Sequence, residues 1–368
     1  MPSVELKPVL LSLALRKIFS FSVDLPRPNM AHHPMPVPVR ELAGGAGSVN
    51  VVRFTKDGNY CLTGGDDRVV RLWNPHKDDP AATSITNTNA AGPKNALLIK
   101  KYEGMHGYSI LDVAVSHDNA RFASSGVDKS VFLWDVTSGR VVRRIQHHTQ
   151  KVNALEMNDD STVLLTASYD QTVCIWDLRS NMRDPIQTLA DFKDSVTSLA
   201  RTQCSILAGS VDGCLRTYDL RKGLLHTDSF PGECITCVRT THDKNCAVSM
   251  CMALSDAHLG RAAVLPGSGM GAKVRLSDIA TGRLVKSYSG HRHNSYKSEC
   301  CVANDDVHIV AGSEDGSIHF WHIITTLQDA QKTIFGAHTS GVSALSHHPT
   351  KPLLLSAGYD GKTKLWDV

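Results

Sequence analysis

Serine or threonine, histidine and aspartate recur together along this chain of 368 residues, and those side chains make a nucleophilic catalyst when they meet once in a cleft. Three sets are complete, and each carries a tryptophan as a fourth member. They are His106, Ser124, Asp128 and Trp134; His148, Thr166, Asp170 and Trp176; and His338, Ser356, Asp360 and Trp366. A further set, His291, Asp315 and Trp321, has Ala311 where the hydroxyl should stand. A catalytic triad is needed once, and it has no use for an indole. Repetition with a tryptophan points instead to a chain of hydrogen bonds: Trp N–H to hydroxyl, hydroxyl to His, His to Asp. Such a chain holds buried polar groups that would each cost about 1–3 kcal/mol if left unsatisfied. The sequence has no Gly-rich phosphate loop, no His-Glu-x-x-His and no nucleophile elbow. It is read as non-enzymatic, with no cofactor. The single Cys-x-x-Cys, Cys234 and Cys237, lacks a second pair at zinc-site distance, so no metal is expected there. The pairs His32-His33, His147-His148 and His347-His348 are read as solvated.

The element that must position these groups is a hairpin. Thr166 to Asp177 reads as a strand, a tight turn at Tyr169-Asp170 and a second strand ending in Trp-Asp. The tip aspartate stands at a constant offset before the closing residue in Asp67/Trp73, Asp128/Trp134, Asp170/Trp176, Asp212/Tyr218, Asp315/Trp321 and Asp360/Trp366. Trp134 to Trp176 and Trp176 to Tyr218 are each 42 residues, and Trp321 to Trp366 is 45. Those spacings suit a propeller blade of about 40–45 residues. Two longer gaps contain inserts: residues 77–94 are read as a surface loop, and residues 258–272, at a hairpin tip, as either a loop or a retained intron. With the second removed, Asp256 runs into Lys273-Val274 and a seventh copy appears, with Ser277 in the Trp place. The expected fold is all-β: a seven-bladed propeller over residues 37–368, preceded by an extension over 1–36. The chain stops at Trp366-Asp-Val368, one strand short. Val37 to Leu42 is expected to supply that strand and close the ring.

Composition narrows the function classes. A formal charge of +3, with lysine and arginine scattered, argues against a general nucleic-acid surface. No apolar run reaches the length of about 18 residues that spans a bilayer. The N-terminal run Pro8 to Leu15 is followed, not preceded, by Arg16-Lys17, which is the wrong order for an export signal. Cysteines without regular spacing fit reduced thiols in an intracellular protein, and cytoplasmic and nuclear placement is expected.

These repeats resemble the WD-repeat β-propeller family over about nine-tenths of the chain. Finer features, Leu72-Trp-Asn-Pro75, His106-Gly-Tyr108 and Ser313-Glu-Asp-Gly316 among them, are similar to the mitogen-activated protein kinase organizer branch of that family. The resemblance implies a molecular scaffold for a kinase cascade, also associated with spliceosomal complexes, and a monomeric propeller working inside larger assemblies. Exposed aromatic and arginine side chains are the natural partner contacts. Tyr108, Tyr169 and Tyr359 are expected on the face that carries the tips. On the opposite face, Trp176-Asp-Leu-Arg179 and Tyr218-Asp-Leu-Arg221 resemble the Trp-Asp-x-Arg box by which some propellers meet a cullin-RING ubiquitin-ligase adaptor. Arg179 and Arg221 are therefore adaptor-contact candidates, and a ligase substrate receptor is the alternative to the scaffold.

Overall fold

Alternating apolar and polar residues make strands with one face in a core, and seven such groups of strands build the molecule. The computed structural model describes residues 37–80, 93–180, 182–253, 272–323 and 332–368, and among these residues there are 28 strands. No helix there is long and apolar enough to cross a membrane. Blade three shows the plan: Val152–Met157, Val163–Ser168, Val173–Asp177 and Gln187–Leu189 pair in chain order, from the inner strand to the outer. The inner strands are buried on both faces, whereas the outer strand Gln187–Leu189 has two exposed residues of three. Apolar cores lie between consecutive blades. Leu165 and Ile175 of blade three pack with Val196, Leu199 and Tyr218 of blade four, for example.

The ring closes where the alternation said it should. Pro38–Leu42 runs antiparallel to Thr363–Asp367 and is the fourth strand of blade seven. The same strand also meets Lys94–Tyr102 of blade one in parallel, through Arg40 opposite Lys94 and Glu41 opposite Asn95. First and last blades thus share one eight-stranded sheet, while the other five are separate sheets of four. This contact corrects the first expected loop. Strands Val70–Asp78 and Lys94–Tyr102 take up its two ends, because Arg40 and Lys94 both reach the Asp78 carboxylate at 2.9 Å. Residues 81–92 of that loop, residues 258–271 of the second insert and the extension over 1–36 lie outside the described residues.

Four blades are also tied to the next by a bulge. Pairing of inner to second strand skips a residue at Asn50, Asn153, Thr197 and Ser343. A bulge re-aims the skipped side chain, and here it turns to the neighbouring blade. Asn50 donates to the Ile110 carbonyl at 3.0 Å, Asn153 to that of Val196 at 2.8 Å, and Thr197 to that of Ile235 at 2.5 Å. Ser343 does the same to Val49, across the seam between last and first blades.

The reading of the histidine pairs as solvated is overturned at His148 and at His348. His348 is buried rather than solvated. Its Nδ1 accepts the backbone N–H groups of Thr350 and Lys351, and its ring packs edge-on against Phe54 at 5.1 Å. Gly58, at φ +74°, makes room: a Cβ there would stand 2.3 Å from the imidazole.

Candidate interaction surfaces

In three blades the second strand supplies the hydroxyl, the third the indole, the tip between them the carboxylate, and the incoming loop the imidazole. His106 lies 2.8 Å from Asp128 through Nδ1 and 2.7 Å from Ser124 through Nε2, and Trp134 donates to Ser124 at 2.8 Å. The corresponding distances are 2.9, 2.7 and 3.0 Å for His148, Thr166, Asp170 and Trp176. For His338, Ser356, Asp360 and Trp366 they are 3.1, 2.7 and 2.8 Å. The hydroxyl oxygen accepts the indole proton, so its own proton is free for Nε2. Nδ1–H then donates to the carboxylate, and every group is satisfied.

The tip carboxylate also accepts the N–H of the residue after the histidine, at 3.0 Å from both Thr149 and Thr339. Burial alone would raise the Asp170 and Asp360 carboxyls, but these hydrogen bonds hold them well below the usual carboxylate range. Burial likewise opposes a charge on His148, yet Asp170 and Cys174 outweigh it and push the imidazole up to about 9. The hydroxyls of Ser124, Thr166 and Ser356 are fully buried and already accept an indole N–H, which leaves no approach for a substrate. These sets hold blades together.

Blades one, four and five lack the histidine, and an arginine on the third strand pairs with a carboxylate, the tip aspartate in blades one and four and Glu233 at the start of the inner strand in blade five. Arg71 meets Asp67 at 2.5 Å, Arg216 meets Asp212 at 2.8 Å, and Arg275 forks onto Glu233. Each arginine stands two residues before the closing Trp73, Tyr218 or Ser277. In blade four Phe192 stands at the histidine position of the incoming loop, with the Arg216 guanidinium 4.9 Å from its ring. In blade five the Arg275 guanidinium lies 4.3 Å from the Phe230 ring. Sequence reasoning missed this substitution, although its signal, an arginine only where the histidine is absent, was present.

Blade six departs from the expected set. Without a hydroxyl at Ala311, neither ring nitrogen of buried His291 has a hydrogen-bond partner. Asp315 turns to Ser317 instead, at 2.5 Å. Burial, with His293 and His319 adding to it, pushes His291 down to about 3, and burial takes His293 to about 4.

The surfaces divide by face. On the tip face Tyr108 is 63% exposed and Tyr169 50%, with the Lys151 ammonium 5.0 Å above the Tyr169 ring. Tyr359 is half-buried instead, because its phenol donates to the Lys297 carbonyl at 2.7 Å. Its ring packs 5.4 Å from Tyr296, and that residue, 60% exposed, is the one presented to solvent. Glu314 fixes Tyr296 by accepting the N–H groups of Asn294, Ser295 and Tyr296 at 2.5–2.9 Å. Tyr296 sits in a loop with no counterpart in the repeat, so the repeat pattern gave no sign of it.

Along the axis, Arg53 grips Glu299 at 2.7 and 2.8 Å and reaches Asp112 at 3.0 Å, and Arg239 adds a contact to Glu299 at 3.3 Å. This cluster joins blades one, two, five and six through the centre. On the opposite face Arg179 and Arg221 are exposed. Their backbone N–H groups rest on Asp177 and Asp219, at 2.8 and 2.7 Å, and the Arg179 side chain also meets Asp177 through Nε at 3.3 Å.

Comparison with known proteins agrees with this architecture. The repeat described as "WD domain, G-beta repeat" matches residues 36–74, 282–322 and 330–367, and a β-propeller family described as WDR41 matches residues 93–255. WD repeat domain-containing protein 83 of Homo sapiens is 37% identical over 89% of this chain and 91% of its own length. The Xenopus tropicalis protein of that name is 36% identical over 94% and 96%. A homolog in Dictyostelium discoideum is 30% identical over 89% and 96%. These relatives are matched nearly end to end, and the chain belongs to the WD-repeat β-propeller family, in the branch of these WD repeat domain-containing protein 83 relatives.

Proposed function

We propose that this chain is a non-catalytic scaffold that assembles multiprotein complexes, working as a single propeller in cytoplasm and nucleus. One observation carries the reading. The hydroxyl, imidazole and carboxylate sets that could do chemistry are buried in inter-strand hydrogen bonds, while large aromatic and cationic side chains stand exposed on tips and turns. Tyr108, Tyr169 and the Tyr296–Tyr359 pair are the contacts proposed on the tip face. The sequence resemblance favours components of a mitogen-activated protein kinase cascade as partners, with spliceosomal proteins as the second group. Affinity purification of the tagged chain followed by mass spectrometry tests this. Recovery of kinase-cascade or splicing components, reduced when Tyr108 and Tyr169 become serine, is the expected result. A purified chain that turns over a substrate, or that recovers no stable complex, refutes it.

Exposed Arg179 and Arg221 on consecutive turns favour one alternative, a substrate receptor for a cullin-RING ligase. That reading requires the ligase adaptor in the recovered set and its loss from an Arg179→Ala, Arg221→Ala variant.

A further inference from the structure

The outer strands carry a repeated device of their own, away from the tip-face sets. In blades seven, one, two and five the residue paired with the position just before the closing residue is Arg40, Lys100, Arg143 and Lys286. Each of these cations reaches out of its own blade to backbone carbonyls just after the closing residue of the next. Lys100 donates to Val136 and Thr137 at 3.1 and 2.7 Å, and Arg143 to Asp177 and Ser180 at 2.8 and 2.9 Å. Lys286 donates to Ile323 at 3.1 Å and Arg40 to Pro75 at 3.2 Å. Permanent charges on backbone dipoles thus pin blade to blade around the rim. Blades three and six have Gln187 and Lys332 in the same position, and blade four has His226.

His226 lies against the turn of blade five as Lys100 lies against that of blade two. Both turns are closed by the same bond, from Gly139 N–H to the Asp135 carbonyl and from Gly282 N–H to that of Asp278, each at 2.9 Å. A Cβ on Gly139 would stand 2.9 Å from the Lys100 ammonium, and one on Gly282 would stand 3.1 Å from His226 Nε2. The imidazole nitrogen therefore occupies the place of the ammonium. The carbonyls equivalent to those that Lys100 holds belong to Ile279 and Ala280.

The charges around the ring come from three elements. On its own strand, Asp228 Oδ2 is 4.0 Å from Nε2. Burial holds that carboxyl above its usual range, and His226 opposes the shift. On the blade-five turn, the Asp278 carboxylate is taken up by the Ala280 N–H and the Thr281 hydroxyl, both at 2.9 Å. Arg283, on the same turn, forms no ion pair among the described residues. On the third strand of blade four the ring is paired with uncharged Thr217, and the neighbouring Arg216 is engaged by Asp212.

We infer that His226 is a proton-operated latch between the rims of blades four and five. The imidazolium holds the carbonyls of the blade-five turn as lysine and arginine do elsewhere, with Asp228 supporting its charge. A neutral ring has one N–H and one lone pair, and the lone pair repels a carbonyl oxygen. Imidazole is the side chain that changes charge between about pH 5 and 8. Because the closed latch favours the protonated ring, it holds at lower pH and is released as pH rises. The tip-face contacts of Arg216 and Arg275 stay in place throughout, so release loosens the rim of this seam and leaves its inner part intact. The device is independent of which partners the scaffold binds.

Deuterium exchange of the full chain at about pH 6 and about pH 8, corrected for the intrinsic pH dependence of exchange, tests this. The reporters are the hydrogen-bonded amides of Ile279 and Gly282, and Gly139 of the lysine-latched turn is the internal control. Protection at Ile279 and Gly282 is expected to fall about fivefold or more between the two conditions, with Gly139 unchanged. His226→Lys should keep the protection at both, and His226→Leu should lack it at both. Equal protection at the two pH values in the unaltered chain overturns the inference. So does a pH dependence that survives in His226→Leu, which would assign it to Asp228 or Asp278, and so does a His226→Lys variant no better protected at pH 8 than the unaltered chain.

Discussion

Replacing Ala311 with serine should stabilise the protein, although a buried alanine-to-serine change ordinarily does the opposite. Ala311 pairs with His319 on its sheet as Thr166 pairs with Cys174 and Ser124 with Phe132. A serine there places its oxygen where the other blades keep theirs, beside an imidazole with both nitrogens unpartnered. Desolvating the new hydroxyl costs about 1–3 kcal/mol. Satisfying a buried imidazole nitrogen that now lacks a partner recovers about 1–3 kcal/mol, and a second hydrogen bond from the same hydroxyl adds about 0.5–1.5 kcal/mol. The balance is about 1 kcal/mol of stabilisation. The reverse change in blade two, Ser124→Ala, leaves His106 Nε2 and Trp134 Nε1 without the oxygen they share. Two buried orphans there should cost about 2–4 kcal/mol.

One hydroxyl, moved in or out of equivalent positions, thus has opposite expected signs separated by about 3–5 kcal/mol. Urea unfolding with linear extrapolation resolves that difference, and amide exchange localises the gain to strands His308–Gly312 and Ile318–His322. The decisive control is Ala311→Ser in a His291→Phe background. If the gain survives without the imidazole, the hydroxyl is not acting through His291 and the reasoning fails. It fails equally if Ala311→Ser alone destabilises by 1 kcal/mol or more.

Stability should fall on both sides of about pH 6.5, for opposite reasons. His148, raised to about 9, contributes fully below about 6.5 and loses that contribution as pH climbs toward 9. His291 and His293, lowered to about 3 and 4, are neutral in the fold, so stability drops by about 1.4 kcal/mol per pH unit for each as pH falls below 6.5. Denaturation midpoints across pH 4–9 check both limbs, and a His148→Gln variant should flatten only the alkaline one. Arg275→Met leaves Glu233 buried without its partner and should cost about 3–5 kcal/mol. Adding Glu233→Gln to it should restore part of that loss in the same urea titration. A chain starting at Val37 should unfold at the same urea concentration as the full chain. One starting at Gly44 lacks Pro38–Leu42, bares the edge of Thr363–Asp367, and should lose its cooperative transition or oligomerise, as read by light scattering.

The repeat was legible because its parts are close together and rigidly spaced. Hydroxyl, aspartate and tryptophan fall within eleven residues of one hairpin, and the histidine stands eighteen before the hydroxyl in all three complete blades. What was hidden depends on residues brought together from distant blades. Arg53 and Glu299 are 246 residues apart, and only closure of the ring makes them neighbours. The parallel contact of Arg40 with Lys94 is of the same kind, since the repeat contains only antiparallel pairs. Tyr359 was placed on the right face, but its exposure depended on the carbonyl of Lys297, sixty-two residues away, which no hairpin pattern contains.

The arginine blades are a different case, because their information was local and was passed over. The position two before the closing residue is Phe132, Cys174 and Lys364 where a histidine joins hydroxyl to carboxylate, and Arg71, Arg216 and Arg275 where none does. Both arrangements place a partner against a carboxylate, but they differ in what they do with protons. A guanidinium keeps its charge at every pH the fold survives, whereas an imidazole changes state within that range. Blades one, four and five are therefore held by pairs that protonation near neutrality does not loosen, and the pH response falls to the histidine blades. Blade six, whose histidine has neither hydroxyl nor carboxylate within hydrogen-bond reach, should open first in acid. Its neighbours, blades five and seven, hold their carboxylates by two different devices, so the order of opening on the two sides of blade six separates the arginine contact from the histidine one.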